Sequence, residues 1–409
     1  MLDWYRDLER TGRRTFLACF AGWTLDAFDA QMYSLVIPAL LATWHISKAA
    51  AGSVAGASLA ASALGGWFAG VLADRYGRVR MLQVTIAWFA VFSLGSALTH
   101  NVRQLILMRA LQGFGFGGEW TVGTVLLAEA VPAALRGRAL GTLQSGWAVG
   151  WGAAVVCSMA AFLCLPQHLA WRVLFAVGFL PALLLLYIQT SLQDQHHARP
   201  ETPGPRLRIS SLMDIFAPTM LRTTLLAALL GLGAHGGYYA LTVWLPTWLM
   251  QNRHLSVSHM SAWLGILIVF FGFGCLTASW LLDLLGRRRT IVIFSLCCAA
   301  MVVAYLILPV GNLAMFCLGA PLGFFSAGIP ASMGALFSEL FPSGMRGTGV
   351  GFCYNFGRVA SAGVPVLVGS LSTVIPLNLA IGLTAATAYL LVTLAVLCLP
   401  ETHRQVLQT

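Results

Sequence analysis

One stretch of nine residues occurs twice in this chain and decides its fold: Glu129-Ala-Val-Pro-Ala-Ala-Leu-Arg136-Gly137 matches Glu339-Leu-Phe-Pro-Ser-Gly-Met-Arg346-Gly347. The two copies begin 210 residues apart. A second pair agrees, since Asp74-Arg75-Tyr-Gly77-Arg78 recurs 209 residues later as Asp283-Leu-Leu-Gly286-Arg287. Because both motifs repeat after almost the same number of residues, the sequence predicts a duplicated structural unit, with a path between the two copies.

The composition predicts that most of the chain lies in lipid. Hydrophobic residues make up 58% and charged residues 9%, whereas a soluble domain carries about 25% charged residues. Apolar segments near the roughly 20 residues that cross a bilayer lie at 15–43, 50–72, 81–99, 104–130, 138–162, 170–189, 222–250, 257–282, 290–309, 311–337, 346–372 and 376–399. Period-two alternation is absent, so we expect an all-α integral membrane protein with twelve transmembrane helices, in two pseudo-symmetric six-helix bundles.

The net charge of +10 is distributed as a topology signal. With the N-terminus placed inside, 18 of the 24 Lys and Arg lie on inner segments, two lie within spans and four lie outside, at Lys48, Arg103, Arg172 and Arg253. This excess places both termini in the cytoplasm and brings basic residues near anionic lipid headgroups. We therefore expect a protein of a bacterial inner membrane with no nucleic-acid partner, and we expect it to be a monomer.

The predicted organisation is an N-terminal bundle at 1–189, a cytoplasmic linker at 190–221 and a C-terminal bundle at 222–409. The linker is polar and dense in proline, and its end, 209–220, is suited to a short amphipathic helix on the inner leaflet. The first apolar segment is too long for a signal peptide, so we expect it to remain in the mature protein. The nine cysteines show no zinc or disulfide spacing, and we expect no metal or cofactor.

The loop between the second and third spans reads Gly70-Val-Leu-Ala-Asp74-Arg75-Tyr-Gly77-Arg78. It combines a carboxylate at a helix end, a glycine for a tight reversal and arginines that can pair with carboxylates. It resembles the loop signature of the major facilitator superfamily. Arg109-Ala-Leu-Gln-Gly113-Phe-Gly115 and Pro400-Glu401-Thr402 resemble two further motifs of that family, so the resemblance covers essentially the whole chain.

This resemblance implies transport by alternating access. The residues of the repeated motifs are then expected to form ion-pair networks at the inner face, which latch the outward-open state and do not bind substrate. These gating candidates are Gly70, Asp74, Arg75, Gly77, Arg78, Glu129, Arg136, Asp283, Gly286, Arg287, Glu339 and Arg346.

Ionisable residues that the two halves do not share are the candidates for specific function. Asp26, Asp29, Glu119, His235 and Arg358 fall near the bilayer midplane, where an ionisable group costs about 3 kcal/mol. Such residues must face partners or a water-filled cavity. A transport function is therefore favoured over a purely structural role for the set.

Asp26 and Asp29 lie within one helical turn, and Tyr33 follows on the same face. Two carboxylates so close in a low dielectric favour one being protonated, which suits a proton carrier. The segment resembles the D-G-x-D motif of aromatic-acid/proton symporters, with Ala27 in place of the glycine. With Trp4-Tyr5-Arg6, Gly118-Glu119 and Tyr354-Asn355, the chain also resembles the sialic-acid-transporter branch. The proton-coupling candidates are Asp26, Asp29, Glu119 and, as a further member, His235, with Arg109 as the partner of a membrane acid.

Arg358 is the candidate for substrate charge recognition, because its planar fork of donors matches a carboxylate. The alternative is that an acid on a neighbouring helix neutralises it. The seventh-span stretch His235-Gly-Gly-Tyr238-Tyr239 offers a flexible point and polar side chains for a cavity. The substrate-binding candidates are Arg358, Tyr354, Asn355, Tyr33, Gln31, His235, Tyr238 and Tyr239.

The sequence predicts a proton-coupled symporter that imports a small organic anion, such as a sugar acid or an aromatic carboxylate. A drug/proton antiporter is the first rival, but the fifth span of that family resembles G-x-x-x-G-P-x-x-G-G, and Gly146-Trp-Ala-Val-Gly150-Trp-Gly152 lacks the proline. A non-transporting receptor would be expected to carry a soluble signalling domain, for which the short loops leave no room. An enzyme is least expected, since no nucleophile and base pair stands out.

Overall fold

A computed structural model describes residues 3–180, 182, 183, 185, 188, 214–342 and 345–402. In the first half, the helices are α1 Asp3–Arg6, α2 Arg10–Trp44, α3 Lys48–Tyr76, α4 Arg78–Ala97, α5 Val102–Ala130, α6 Ala133–Cys164 and α7 Gln167–Val177. In the second half, they are α8 Leu221–Gln251, α9 Val257–Leu285, α10 Arg287–Leu306, α11 Asn312–Leu340, α12 Arg346–Ser361, α13 Val364–Leu371 and α14 Leu377–Leu397.

The helices confirm the predicted all-α membrane fold. Within the described residues, nine helices are long and apolar enough to cross a membrane: α2, α3, α4, α6, α8, α9, α10, α11 and α14. The other three predicted spans are 104–130, which corresponds to α5, 170–189, of which α7 forms the first part and the structure describes the rest only in part, and 346–372, which corresponds to α12 together with α13. This last span was expected to be continuous over 346–372, but it breaks after Ser361, because Pro365 has no N–H to donate to the carbonyl one turn before it.

Several predictions fall on parts of the chain that the structure does not describe. Most of the linker, 190–213, lies outside the described residues, and so does the start of the amphipathic segment 209–220. The domain boundaries therefore stay predictions. For six gating candidates the structure describes the helix but not the residue's own contacts: Gly70, Asp74, Glu129, Arg136, Asp283 and Arg346.

Local sequence explains where the helices begin and reverse. Gly77 and Gly286, the glycines of the two loop motifs, have φ values of 97° and 90°, a conformation that glycine adopts without steric cost. Each separates two successive helices. At the opposite end of the bundle, Ser47, Asn101 and Ser256 accept a backbone N–H at the starts of α3, α5 and α9, as N-cap residues do.

The two halves pack around a central region. In the first half α3 packs on α5 and α2 on α6, while in the second α9 packs on α11 and α8 on α14. Between the halves, α6 meets α9, α2 meets α8, and α3 meets both α12 and α13. We call the end of the bundle where α2 begins the terminal side, and the opposite end the distal side.

The distal side is closed by direct contact between backbones. A Cβ atom added to Gly52 of α3 would lie 2.4 Å from the carbonyl oxygen of Pro365, and one added to Gly56 would lie 2.5 Å from that of Ala362. Real Cβ atoms do not approach so closely, and only glycine permits this contact. The distal ends of α3 and of α12–α13 therefore touch without intervening side chains.

Candidate functional site

Two cavities of about 70 Å³ each lie between the halves, and each has room for roughly five water molecules. The terminal-side cavity is lined by residues that include Trp23, Gln144, Trp147, His235, Tyr238, Tyr239, Phe271, Tyr354 and Arg358. The distal cavity is lined by residues that include Gln31, Tyr33, Arg109, Gln112, Phe116, Trp147, Tyr238, Tyr239 and Thr242. The terminal-side cavity is largely aromatic and apolar with few polar groups, as expected of a site for a small organic ligand. The lining of the distal cavity is more polar.

A hydrogen-bonded bridge at Tyr238 separates the two cavities. The Tyr238 hydroxyl accepts from Gln31 Nε2 at 2.9 Å and from Trp147 Nε1 at 2.5 Å. Both donors belong to the first half, whereas Tyr238 belongs to α8 of the second. Because Tyr238 and Trp147 line both cavities, this bridge joins the halves at the level where the cavities meet.

Arg358 of α12 is the positively charged residue of the terminal-side cavity, and it is 3% exposed. Its Cζ atom lies 5.2 Å from the ring centroid of Phe116 and 5.1 Å from that of Tyr354, within the range of a cation–π contact. Its Nη2 donates to the Tyr354 hydroxyl at 3.4 Å, but Nε has no partner among the described residues. Arg358 forms no ion pair with any described carboxylate, so part of its donor capacity is free for a ligand.

His235 lies beside Arg358 and continues the polar lining of this cavity. Its Nδ1 lies 2.9 Å from the carbonyl oxygen of Gly231, one turn earlier in α8. The imidazole ring meets the ring of Tyr354 edge to face, with centroids 4.8 Å apart. This arrangement directs the other ring nitrogen away from the helix axis and fixes the orientation of the imidazole.

Asp29 is buried in a complete set of donors within the first half. Arg109 Nη1 and Gln112 Nε2 each lie 2.6 Å from its Oδ2, and Ser93 Oγ donates to Oδ1. Asp29 is fully buried and Arg109 is 2% exposed. The Arg109 Cζ also lies 4.3 Å from the ring centroid of Phe175. Arg109 is therefore neutralised by a membrane acid, which is an arrangement suited to a fixed charge pair.

Asp26 has surroundings that contrast with those of Asp29. It is fully buried, and neither of its oxygens has a hydrogen-bond donor among the described residues. Its carboxyl group instead lies within hydrogen-bonding reach of the carboxyl group of Glu119, which is 4% exposed. Two ionised carboxylates offer only acceptors, so a hydrogen bond between them requires one shared proton.

The described gating candidates of the second half form a network at the terminal side. The Arg287 guanidinium donates to Glu339 at 2.8 and 3.0 Å, and the Thr402 hydroxyl donates to Glu339 at 2.6 Å. Glu401 accepts the backbone N–H groups of Arg287 and Arg288 at 3.0 and 3.1 Å. A carboxylate in this position stabilises the start of α10. This network links three sequence motifs within one half, and their role in gating stays a prediction.

The structure divides the predicted substrate-binding set between the two cavities. Arg358, Tyr354 and His235 line the terminal-side cavity, Gln31 and Tyr33 line the distal one, and Tyr238 and Tyr239 line both. Asn355 lines neither, because its amide donates to the carbonyl of Gly351 in its own helix.

Sequence reasoning missed several residues of the site. Gln112 follows Arg109 by one turn, so helix spacing could have identified it as a neighbour. Ser93, Trp23 and Trp147 carried no such signal, since their roles depend on contacts between helices that are distant in sequence.

Two bundles of membrane helices around buried cavities that carry a few polar and charged groups define a membrane transporter. Residues 19–322 match the Major Facilitator Superfamily, and the chain belongs to that family. It is 40% identical to a probable 4-methylmuconolactone transporter of Cupriavidus pinatubonensis, over 98% of this chain and 94% of the relative. It is 29% identical to the cis,cis-muconate transport protein of Acinetobacter baylyi, over 89% and 88%.

Among solved structures, the inward-open xylose transporter of E. coli matches 96% of this chain and 97% of its own, with a TM-score of 0.75 and 20% identity. This similarity shows the fold. The family and these relatives are transporters, and the chain is accordingly a transporter and not an enzyme.

Proposed function

We propose that this protein is a proton-coupled symporter that carries a small organic acid into the cell by alternating access. The observation that carries the proposal is the juxtaposition of Arg358, an arginine without an ion-pair partner in the described chain, with the Asp26–Glu119 carboxyl pair. One group supplies a site for a carboxylate. The other supplies a site for the coupled proton.

The lining supports a compact, unsaturated or cyclic acid as the substrate. Trp23, Trp147, Phe271 and Tyr354 surround the cavity beside Arg358, and aromatic faces favour flat apolar ligands. Relatives named as transporters of 4-methylmuconolactone, cis,cis-muconate and 4-hydroxybenzoate point to the same chemistry.

Within the first half, Asp29 and Arg109 act in this proposal as a fixed pair that positions α2 against α5, while Asp26 and Glu119 exchange the proton. Asp29 already accepts from three side chains, whereas Asp26 has no donor among the described residues except a proton shared with Glu119. We place both termini in the cytoplasm of a bacterial cell, because 18 of the 24 Lys and Arg then lie inside.

The test is uptake into proteoliposomes that contain the purified protein. A panel of radiolabelled acids, including 4-hydroxybenzoate and cis,cis-muconate, is offered with and without an inward proton gradient. We expect the gradient to drive accumulation of at least one acid, and a protonophore to abolish that accumulation. The Asp26→Asn and Glu119→Gln variants should still catalyse exchange of labelled for unlabelled substrate without a gradient.

Three results would contradict the proposal in different ways. Uptake that only equilibrates the substrate and is unaffected by the proton gradient would indicate a uniporter. Proton-driven export of organic cations would favour the antiporter. Binding without any transport would favour a receptor.

A further inference from the structure

The number of positive and negative charges around the terminal-side cavity limits which ligands it can hold. Of the two arginines within the spans, Arg109 is neutralised by Asp29 at 2.6 Å. Arg358 is therefore the one cation left for a ligand among the described residues of the site. An unpaired charge in a buried site is costly, so the number of available cations limits the number of carboxylates that the site can hold.

The Asp26–Glu119 pair supplies the opposing charge when no substrate is bound. With one shared proton, the pair carries a single negative charge, and Arg358 acts on Asp26 electrostatically without forming an ion pair. A second proton makes the pair neutral. Arg358 then has no counter-charge, and the cavity becomes a site for one anion.

The other charged and titratable groups around this site do not change the number of cations that are available to a ligand. Asp29 also acts on Asp26, but its charge is balanced by Arg109. Cys19 lies near Glu119, and His235 lies near Arg358. His235 is buried beside Arg358, and a neutral imidazole with its proton on Nδ1 satisfies the Gly231 carbonyl oxygen 2.9 Å away, so His235 adds no charge to the site.

We propose that the terminal-side cavity takes a monocarboxylate in preference to a dicarboxylate, and that each monocarboxylate is carried with one proton on the Asp26–Glu119 pair, so that its transport moves no net charge. This proposal rests on the proposed function and narrows its substrate class. A second carboxylate on the ligand would enter a lining of Trp147, Tyr238 and Phe271 with no described cation to meet it.

The first test compares a diacid with its own half-ester, which keeps the size and removes one charge. The probes are cis,cis-muconate with its monomethyl ester, and terephthalate with monomethyl terephthalate. We expect kcat/KM for proton-driven uptake to be at least about tenfold higher for each half-ester, because the second carboxylate must be desolvated without a partner. A diacid carried as well as its half-ester would overturn the monocarboxylate preference.

A second test measures the charge that moves. Proteoliposomes with a potassium gradient receive valinomycin, which sets an inside-negative potential, at a constant pH gradient. We expect the initial rate of half-ester uptake to change by less than about twofold, since one proton and one monoanion carry no net charge. A several-fold acceleration would mean more than one proton per monoanion and would overturn the electroneutral step.

A variant that adds a cation gives an independent check. Gln144 lines the same cavity and is half-buried, so Gln144→Lys should shift the ratio of half-ester to diacid uptake toward the diacid by about tenfold. Gln144→Met, which has similar length and no charge, should keep the wild-type ratio. An unchanged ratio in Gln144→Lys would count against the charge limit. If no acid accumulates under a proton gradient, the proposed function itself fails, whereas a diacid preference overturns only this inference.

Discussion

The Asp29–Arg109 pair allows a quantitative test of how the first half is held together. Arg109→Met keeps the length of the side chain but leaves the Asp29 carboxylate fully buried, with Ser93 and Gln112 as its remaining donors among the described residues. Removing one partner of a buried, hydrogen-bonded pair costs about 3–5 kcal/mol. We expect a loss of that size in the free energy of unfolding, measured by titrating the purified protein from dodecyl maltoside into mixed micelles with dodecyl sulfate.

The double variant Asp29→Asn, Arg109→Met decides whether the loss comes from the unpaired charge. It leaves no charge at positions 29 and 109, so it should be more stable than Arg109→Met alone, with a coupling energy of about 2–3 kcal/mol. Arg103→Met on the exposed face of the same helix is the matched control, and it should change stability by less than about 0.5 kcal/mol. Additive losses from the two single substitutions would refute the assignment of a coupled pair.

Three other predictions concern the central site. Arg358→Ala should weaken binding of a transported acid by about 2–5 kcal/mol and barely affect its amide, as measured by calorimetry; a variant that keeps the wild-type preference for the acid would exclude charge recognition by Arg358. Asp26→Asn and Glu119→Gln should each abolish uphill accumulation while exchange continues, and concentrative uptake by both would move the coupling elsewhere. Tyr238→Phe leaves two buried donors without their acceptor, so it should lower the free energy of unfolding by about 1–3 kcal/mol. Tyr76→Phe, at the exposed end of α3, is the control and should leave the free energy of unfolding unchanged. Equal stability of the two variants would argue against the bridge.

The sequence was sufficient for the fold because each transmembrane helix satisfies its own backbone within one apolar segment. The predicted spans correspond to the observed helices, and the glycines of the two loop motifs have the positive φ expected of tight reversals. The break between α12 and α13 was not predicted. Pro365 was visible in the sequence, but proline in a membrane helix does not by itself determine whether the helix bends or ends.

The site was predictable only in part, because its chemistry depends on which helices face each other. Residue type and depth identified Asp26, Asp29 and Arg358 as unusual. Sequence spacing suggested that one of Asp26 and Asp29 would be protonated, since they lie one turn apart. In the structure Asp29 instead faces Arg109 and Asp26 faces Glu119, and both partners come from α5, a helix distant in the chain.

The glycine contact at the distal side has a consequence for how this protein can be held in one state. Because Gly52 touches the backbone of Pro365, no side chain can rotate away to make room for an added methyl group. A single Gly52→Ala substitution therefore acts as a wedge that the closed distal side cannot accommodate, whereas a conformation with α3 and α13 apart tolerates it. The described residues of the distal contact include no ion pair, so high salt should leave the contact intact. Gly52→Ala would therefore shift the protein away from the conformation with a closed distal side through steric conflict and not through a change in charge.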